Sequence, residues 1–529
     1  MKRKISLHKT IFILIFTLFV FTRLFRLDSI PFGPHGLHID EMGAAYDSFC
    51  ISEYGVDQYH YKMPVYFRCF GESQDALYTY LAAILFKFTG VSILAFRLPA
   101  VFCAIAGFFA LFFLAELLFK KPYTLLALFL MTIMPVYMMS ERWGLQCYLW
   151  LSVSIVSMYF LIKAVSENRA TYFFWAGILW GLTLYTYAIT YLVIPFFLIV
   201  TLLYLAYVNR IGGVKNVLLV AIPFFVLGFP LLIQQLVAMG MIAPFRFMGM
   251  IDFWRGESYR SDSVGVSCLL DNLIHSARTF LVSDSISYNA NARFGTIYYI
   301  SIPFLVIGLI VSIKKLVTSL KARTLDVWCV ILIYYVVIRI ALLFVYHPNI
   351  NRANGIYFPY LLFTVLGIEA VVDKLGKRAF LYALTGVYFI LFVAFSYYLF
   401  SYNGYREDTD MVYLKVDTTP GEALAYAKKN YSENEIFAVI NNDWYTDYII
   451  ALFTETSPYD YQNDEEYYDN DKYNGVTWGV LDELDLSGDT VYVVADYSMG
   501  HITSYLLTEG FQADNAFDGY SILHIPESQ

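Results

Sequence analysis

The sequence predicts a polytopic α-helical membrane protein, with about eleven transmembrane helices plus interfacial helices in its first outer loop, followed by a small C-terminal α/β extracytoplasmic domain. Three observations carry this expectation. The 529 residues are 58% hydrophobic and only 15% charged, a composition outside that of soluble domains. Apolar runs of spanning length recur from residue 10 to residue 400. The charge is also divided: Ser401 to Gln529 holds 5 Lys+Arg against 25 Asp+Glu, while the first 400 residues hold 31 against 19. An acidic soluble segment on a basic membrane domain argues against nucleic acid as a partner.

The N-terminal stretch Met1 to Lys9 is basic and runs into an apolar segment that ends at Leu27. No small-residue cleavage site follows, so it reads as an uncleaved anchor that starts in the cytoplasm. Further apolar segments lie near 75–95, 97–119, 123–139, 147–165, 171–187, 190–208, 216–238, 296–313, 325–346, 353–372 and 379–400. If every one of these spanned, the basic clusters Lys120-Lys121, Lys163 with Arg169, Arg210 with Lys215, Lys314-Lys315-Lys321-Arg323 and Lys374-Lys377-Arg378 would all lie outside. Short cytoplasmic loops hold the excess of positive charge, so that arrangement has the wrong sign throughout. Withdrawing 75–95, "DALYTYLAAILFKFTGVSILA", returns every cluster to the cytoplasm. Lys87 and Gly90 interrupt this segment, and it is expected to lie in the interface.

Eleven spans then remain, in a membrane domain over 1–400 with long outer loops at 28–95 and 239–295. The tail, 401–529, is placed outside the cell membrane as well. "TTPGEALAYAKKN" starts a helix, with Thr419 as its cap and Pro420 at the first helical position. Strands at 436–441, 490–496 and 520–525 alternate with helices at 446–455 and 499–510, the pattern of a small α/β domain. The acidic, Tyr-rich stretch 457–475 reads as a solvated loop. The six cysteines are absent from the tail and never in CxxC spacing, which excludes a disulfide scaffold and a Cys-rich zinc site.

Two adjacent carboxylates, Asp40 and Glu41, stand in "GLHIDEMGAAYDSF", the first outer loop. Apolar residues at 39, 42, 46, 49 and 50 follow helical spacing, so 39–53 is expected to be an amphipathic helix on the outer membrane surface. Acids at a helix start are favoured by capping and by the dipole, which is reason enough for their presence. Their surroundings add a second reason. The same face is predicted to carry Glu141 and Arg142 ("MMSERWGLQCYL"), Lys62 ("YHYKMPVYF"), and His347 and Arg352 ("YHPNINRANGIYFP"). Acids and bases gathered where long loops fold over a membrane point to a site.

On these stretches, together with "QDALYTYLAAILF", "FRLPAVFCAIAGFFALFFLAELLF" and "YTYAITYLVIPFFLI", the chain resembles bacterial membrane glycosyltransferases of the GT-C class, in the branch of protein mannosyltransferases and aminoarabinose transferases. The resemblance covers about residues 1–400. It implies a polyprenyl-phosphate sugar as donor, an Asp-Glu pair in the first outer loop, and Asp40 as the base, with Glu41 orienting the site or the acceptor. The acceptor, whether protein, lipid or wall glycan, is not specified.

Such a transfer removes a proton from an acceptor hydroxyl while negative charge grows on the departing lipid phosphate. Phosphate is a good leaving group, so one base and a cluster of cations suffice, unlike the two acids of glycosidases. Lys62, Arg142, His347 and Arg352 are the candidates to hold the phosphate. Relatives commonly carry an acid a few residues beyond Ser-Arg; here Gln146 stands there, and Glu141 is the residue that could take over. A hard divalent cation wants two or more carboxylates, so no obligatory metal is expected. Three other readings compete: a transporter or flippase for a lipid-linked sugar, a scaffolding membrane protein whose tail binds a partner at the cell surface, and a glycan transferase that uses a lipid-pyrophosphate donor.

Overall fold

A computed structural model of the chain describes residues 7–30, 35–69, 72–255, 265–282, 291–346, 348–401, 415–440, 446–461, 471–473, 475–478 and 484–526. Its first part runs through α1 (Leu7–Leu24), β1 (Gly36–His38), α2 (Ile39–Tyr54), the hairpin β2 (Tyr66–Cys69) and β3 (Glu72–Asp75), and α3 (Ala76–Thr89). Next come α4 (Ile93–Leu118), α5 (Lys121–Ile133), α6 (Pro135–Ser140), α7 (Gln146–Glu167), α8 (Ala170–Thr183), α9 (Thr190–Tyr207) and α10 (Val214–Ala238). A second hairpin, β4 (Phe245–Phe247) and β5 (Ile251–Phe253), leads to α11 (Leu269–Val282), α12 (Ile302–Ala322), α13 (Val327–Leu343), α14 (Ile350–Ala353), α15 (Tyr357–Leu375) and α16 (Arg378–Phe400).

Among the described residues, eight helical segments are long and apolar enough to cross a membrane: α1, α4, α7, α9, α10, Tyr299–Ala322, Ile350–Leu375 and α16. The three other predicted spans are shorter helices. α5 stops at Met134, where Pro135 begins α6; α8 and α13 have 14 and 17 residues. All three still run from one end of the bundle to the other, as their terminal contacts show. At one end Lys120 pairs with Asp373, Asn216 bonds Asn168, and the Tyr204 hydroxyl bonds Ser319 and the Asp326 carbonyl. At the opposite end Arg142 bonds the last carbonyls of α1, the Leu77 N–H bonds the Tyr185 carbonyl just past α8, and the Asn272 side chain bonds the Leu343 carbonyl. The basic clusters read from the sequence fall at the first end.

The segment withheld from the spans, α3, keeps both of its ends beside α2. Gln74 before it bonds the Asp40 carbonyl, and Lys87 in its last turn pairs with Glu53.

Glycine sets the crossing of α12 and α15. A Cβ on Gly308 of α12 would fall on the Phe363 carbonyl of α15, and one on Gly367 would fall on the Phe304 carbonyl. Small residues let two apolar helices approach this closely where lipid offers no hydrophobic drive between them.

The C-terminal part contains β6 (Lys415–Asp417), α17 (Thr419–Asn430), β7 (Glu435–Val439), α18 (Thr446–Phe453), β8 (Asp471–Tyr473), β9 (Val476–Trp478), β10 (Thr490–Ala495), α19 (Asp496–Thr508), β11 (Gln512–Phe517) and β12 (Tyr520–His524). Six strands form a sheet in the order β11-β12-β10-β7-β9-β8, with β7 parallel to β10 and β9. All of β10, "TVYVVA", is buried, as a strand covered on both faces requires. The expected helix at 419 begins one residue beyond its cap, which is Thr418. Strand β8 lies at the end of the stretch read as a loop and β9 just beyond it; 462–470 and 474 lie outside the described residues.

β6 does not join this sheet. It pairs antiparallel with β1, matching Gly36 to Asp417, Leu37 to Val416 and His38 to Lys415. With α18 it corrects the expectation for 39–53. α2 is a helix, but one buried continuously from Glu41 to Ile51 rather than an amphipathic helix at a surface. The C-terminal part lies over it: the Tyr46 hydroxyl bonds the Thr456 carbonyl, and its ring meets Tyr448 and Tyr461 edge-on.

Candidate functional site

The first turn of α2 sits where α1, α4 and α7 converge. His38 caps this helix: its backbone is extended (φ −71, ψ 147), and its Nδ1 accepts the Asp40 N–H at 3.0 Å. Glu41, three residues on, returns the bond by accepting the His38 N–H at 3.0 Å, completing a capping box. Successive helical residues point about 100° apart, so the adjacent acids face different surroundings.

Glu41 is fully buried. Its Oε1 accepts Arg97 Nε at 2.9 Å and the Gly144 N–H at 2.6 Å; its Oε2 accepts Arg97 Nη2 at 2.6 Å. Arg97 spends its remaining donors on the carbonyls of Leu27 and Gly36. A Cβ on Gly144 would strike the Phe96 ring and crowd Glu41 Oε1, so only glycine gives that amide this approach. Glu41 was expected to orient the site or the acceptor; in this arrangement it bonds Arg97, Gly144 and the His38 N–H and braces the helix start.

Asp40 is different. Its carboxylate is 50% exposed, 3.9 Å from His38 Nδ1, and no hydrogen bond or ion pair among the described residues joins it to Lys62 or Arg352. The backbone on both sides is held, by the cap and by the Gln74 bond to the Asp40 carbonyl, while the carboxylate itself is left accessible.

The Glu141–Arg142 pair behaves like Glu41. Glu141 meets Arg23 Nε at 2.8 Å, both groups buried, and Arg23 also bonds the carbonyls of Met131 and Thr132. Arg142 donates to the carbonyls of Thr22, Arg23, Phe25 and Arg26 at 2.7 to 3.1 Å. These are the end carbonyls of α1 and of the turn after it. A guanidinium there satisfies acceptors that the helix leaves open and lies favourably in its dipole. Both side chains are buried on these partners, whereas the sequence reading gave them the parts of an acid and a phosphate ligand.

The remaining candidates keep their charges available. Lys62 has an exposed side chain, while its backbone is fixed by the second outer loop: its N–H bonds Asp252 Oδ2 at 2.7 Å, and its carbonyl takes the Asp252 N–H at 2.9 Å. Arg246 grips the same carboxylate with two bonds of 2.6 and 2.7 Å and, as its largest influence, holds the Asp252 carboxyl below the usual carboxylate range. Arg352 is half-buried on α14, its N–H capped by Asn349 and its guanidinium bonded to the Tyr346 carbonyl. The neighbouring Asn351 accepts from Tyr148 of α7, which ties this corner to the helix that follows Gly144. His347 lies outside the described residues.

Sequence reasoning overlooked Arg23, Arg97 and His38. Arg97 left a signal, a lone charge inside "ILAFRLPAVF", where a cation needs a partner. It also overlooked Asp57, buried in the first outer loop together with Asp47 of α2. Asp47 accepts the Gln58 N–H, and Asp57 accepts those of Tyr59 and Tyr61. Burial pushes the Asp57 carboxyl up to about 7; burial, with Asp57 beside it, raises Asp47 as well. Among the described residues no group of three or more His, Cys, Asp or Glu is placed to hold a metal ion. An apolar cavity of about 240 Å³ between α7, α8, α9 and α10 is lined by residues such as Phe173, Pro195, Leu198 and Phe224 and offers no reactive group.

Residues 75–233 match the family model described as dolichyl-phosphate-mannose-protein mannosyltransferase. No curated protein matches in sequence. Among solved structures, ArnT from Cupriavidus metallidurans bound to undecaprenyl phosphate is similar at a TM-score of 0.50 and 11% identity, over 97% of each chain. The apo state of the same protein gives 0.49 and 13%, again over 97% of each chain. The oligosaccharyltransferase AglB from Archaeoglobus fulgidus, in complex with an inhibitory peptide and a dolichol-phosphate, gives 0.45 and 12%, over 84% of this chain. The chain spans 63% of the AglB chain. The ArnT likeness shows a shared polytopic fold.

Proposed function

We propose that the chain is an inverting glycosyltransferase that moves a sugar from a polyprenyl-phosphate donor to an acceptor hydroxyl at the outer face of the cell membrane. The N-terminus is then cytoplasmic, residues 1–400 carry the transfer, and 401–529 lie outside. One observation carries this reading. Of the two adjacent acids, one is buried in a fully satisfied ion pair, and the other is presented half-exposed on a backbone that the first fixes in place. Preorganised acids of this kind suit general-base work. The matched mannosyltransferase family and the undecaprenyl phosphate bound by ArnT support the donor class.

In the step we assign, an acceptor O–H gives its proton to the Asp40 carboxylate as the oxygen attacks the anomeric carbon. The bond from that carbon to the phosphate oxygen breaks, and the polyprenyl phosphate leaves with the electron pair. Attack from the opposite face inverts the centre. Lys62 and Arg352, with His347, are the cations assigned to the phosphate; Glu41, Glu141 and Arg142 hold the frame. Asp40→Asn keeps the size and the backbone bonds of the residue and removes its basicity. It should abolish transfer in purified, folded protein, by on the order of 10² to 10⁴-fold. Near-normal turnover by this variant would remove Asp40 from the chemistry.

A further inference from the structure

The cap of α2 is an imidazole, where an oxygen from Ser, Thr, Asp or Asn is the common choice. An oxygen accepts a hydrogen bond at any ordinary pH; an imidazole nitrogen accepts only while the ring is neutral. His38 Nδ1 accepts the Asp40 N–H at 3.0 Å, which places the ring proton of the neutral form on Nε2. The ring is buried edge-on to Trp143, and the backbone of His38 is fixed by its pairing with Lys415 and by Glu41. Burial and the Trp143 contact hold the ring beside Asp40.

We infer that His38 is a positioning residue for Asp40, and that protonation of its ring switches the site off by removing the cap and drawing the Asp40 carboxylate into an ion pair. Both effects follow from the geometry. A proton on Nδ1 replaces an acceptor with a donor that faces the Asp40 N–H. The same proton lies on the nitrogen 3.9 Å from Asp40 Oδ2, so the carboxylate that should receive the acceptor's proton turns inward to a cation instead. The charged groups that face the ring are Asp40 and Glu41 on α2 and Arg97 on α4, with Lys415 opposite in the strand pair. Burial lowers the pKa of the ring; Asp40 and Glu41 oppose this, and Arg97 adds to it. The neutral, capping form is thus the resting one, and the switch works on the acid side.

The effect on transfer rests on the reading of Asp40 as base, so the test separates the two. In full-length protein in detergent, hydrogen exchange of peptides that cover residues 39–49 is followed as protection factors from pH 8 down to pH 5. We expect the wild type to lose protection by roughly 5- to 30-fold on acidification, the scale of a lost cap. His38→Asn, which keeps an acceptor that does not titrate, should stay protected throughout, and His38→Phe should be unprotected at every pH. Superimposable profiles for wild type and His38→Asn would overturn the inference, as would nitrogen-15 shifts that place the neutral ring's proton on Nδ1. Transfer from undecaprenyl-phosphate sugars gives the second arm. Transfer by the wild type should be lost more steeply on acidification than transfer by His38→Asn, because only the wild type also loses its cap. Normal transfer by Asp40→Asn would overturn the base and the switch of transfer together. A dead Asp40→Asn with no difference between the His38 variants would overturn the switch alone.

Discussion

The ion pair beneath Asp40 allows a direct test, because its parts are isolated from solvent and all its bonds are known. Arg97→Met removes the countercharge of Glu41 but roughly preserves side-chain length. Of the four hydrogen bonds that Glu41 accepts, two vanish, and the Leu27 and Gly36 carbonyls lose their donors. A carboxylate stripped of its cation in a buried setting costs about 3–5 kcal/mol, roughly a 10² to 10⁴-fold shift toward the unfolded protein. Glu41→Gln alone should cost a similar amount, by stranding the guanidinium. The double variant Glu41→Gln/Arg97→Met strands neither, so it should be more stable than the sum of the singles by about 0.5–3 kcal/mol. The assay is a double-mutant cycle by pulse proteolysis in detergent. Lys120→Met at the exposed Lys120–Asp373 pair serves as a control that should change nothing measurable. A single Arg97→Met variant within about 1 kcal/mol of wild type would refute the assignment of Glu41 to the frame, since that is the scale of an exposed pair.

Three further outcomes follow from the same contacts. Asp57 binds its proton more tightly folded than unfolded, so the folded state gains stability below pH 4 and loses it as pH rises through about 7. Asp57→Asn keeps the two backbone bonds without that proton; relative to wild type it should gain up to about 4 kcal/mol between pH 4 and pH 8, and a difference independent of pH would refute this. Gly367→Ala should disrupt the α12–α15 crossing, because the methyl group meets backbone that cannot move aside; a thermal midpoint equal to wild type would be the contrary result. Lys62→Ala should weaken binding of undecaprenyl phosphate with little change in melting, whereas Arg142→Ala should lower the melting temperature by uncapping α1; equal behaviour of the two would erase the distinction drawn between them.

The layout of the membrane part was readable because its rules are local and one-dimensional. Spanning length and the side on which Lys and Arg gather depend on neighbours in sequence, and they were enough to withdraw 75–95 from the spans, where α3 lies along α2. The burial of α2 was not readable. It depends on α18 and β6, hundreds of residues later, and no periodicity within 39–53 registers a cover supplied from there. The separate fates of Asp40 and Glu41 were hidden for a related reason. Adjacent letters in the sequence become directions about 100° apart on a helix, and only the position of Arg97 and Gly144 decides which direction is inward. Arginines 142 and 352 look alike as charges near an outer loop; what distinguishes them is a run of open carbonyls at the end of α1, a feature of conformation and not of composition.

The pairing of β1 with β6 also has a temporal side. Gly36 to His38 leave the ribosome early, and their partners Lys415 to Asp417 emerge only after the last long apolar helix. Until then the lead-in to Asp40 has no strand beside it. A nascent or truncated product that stops before Lys415 therefore lacks the strand that pairs with the lead-in to Asp40.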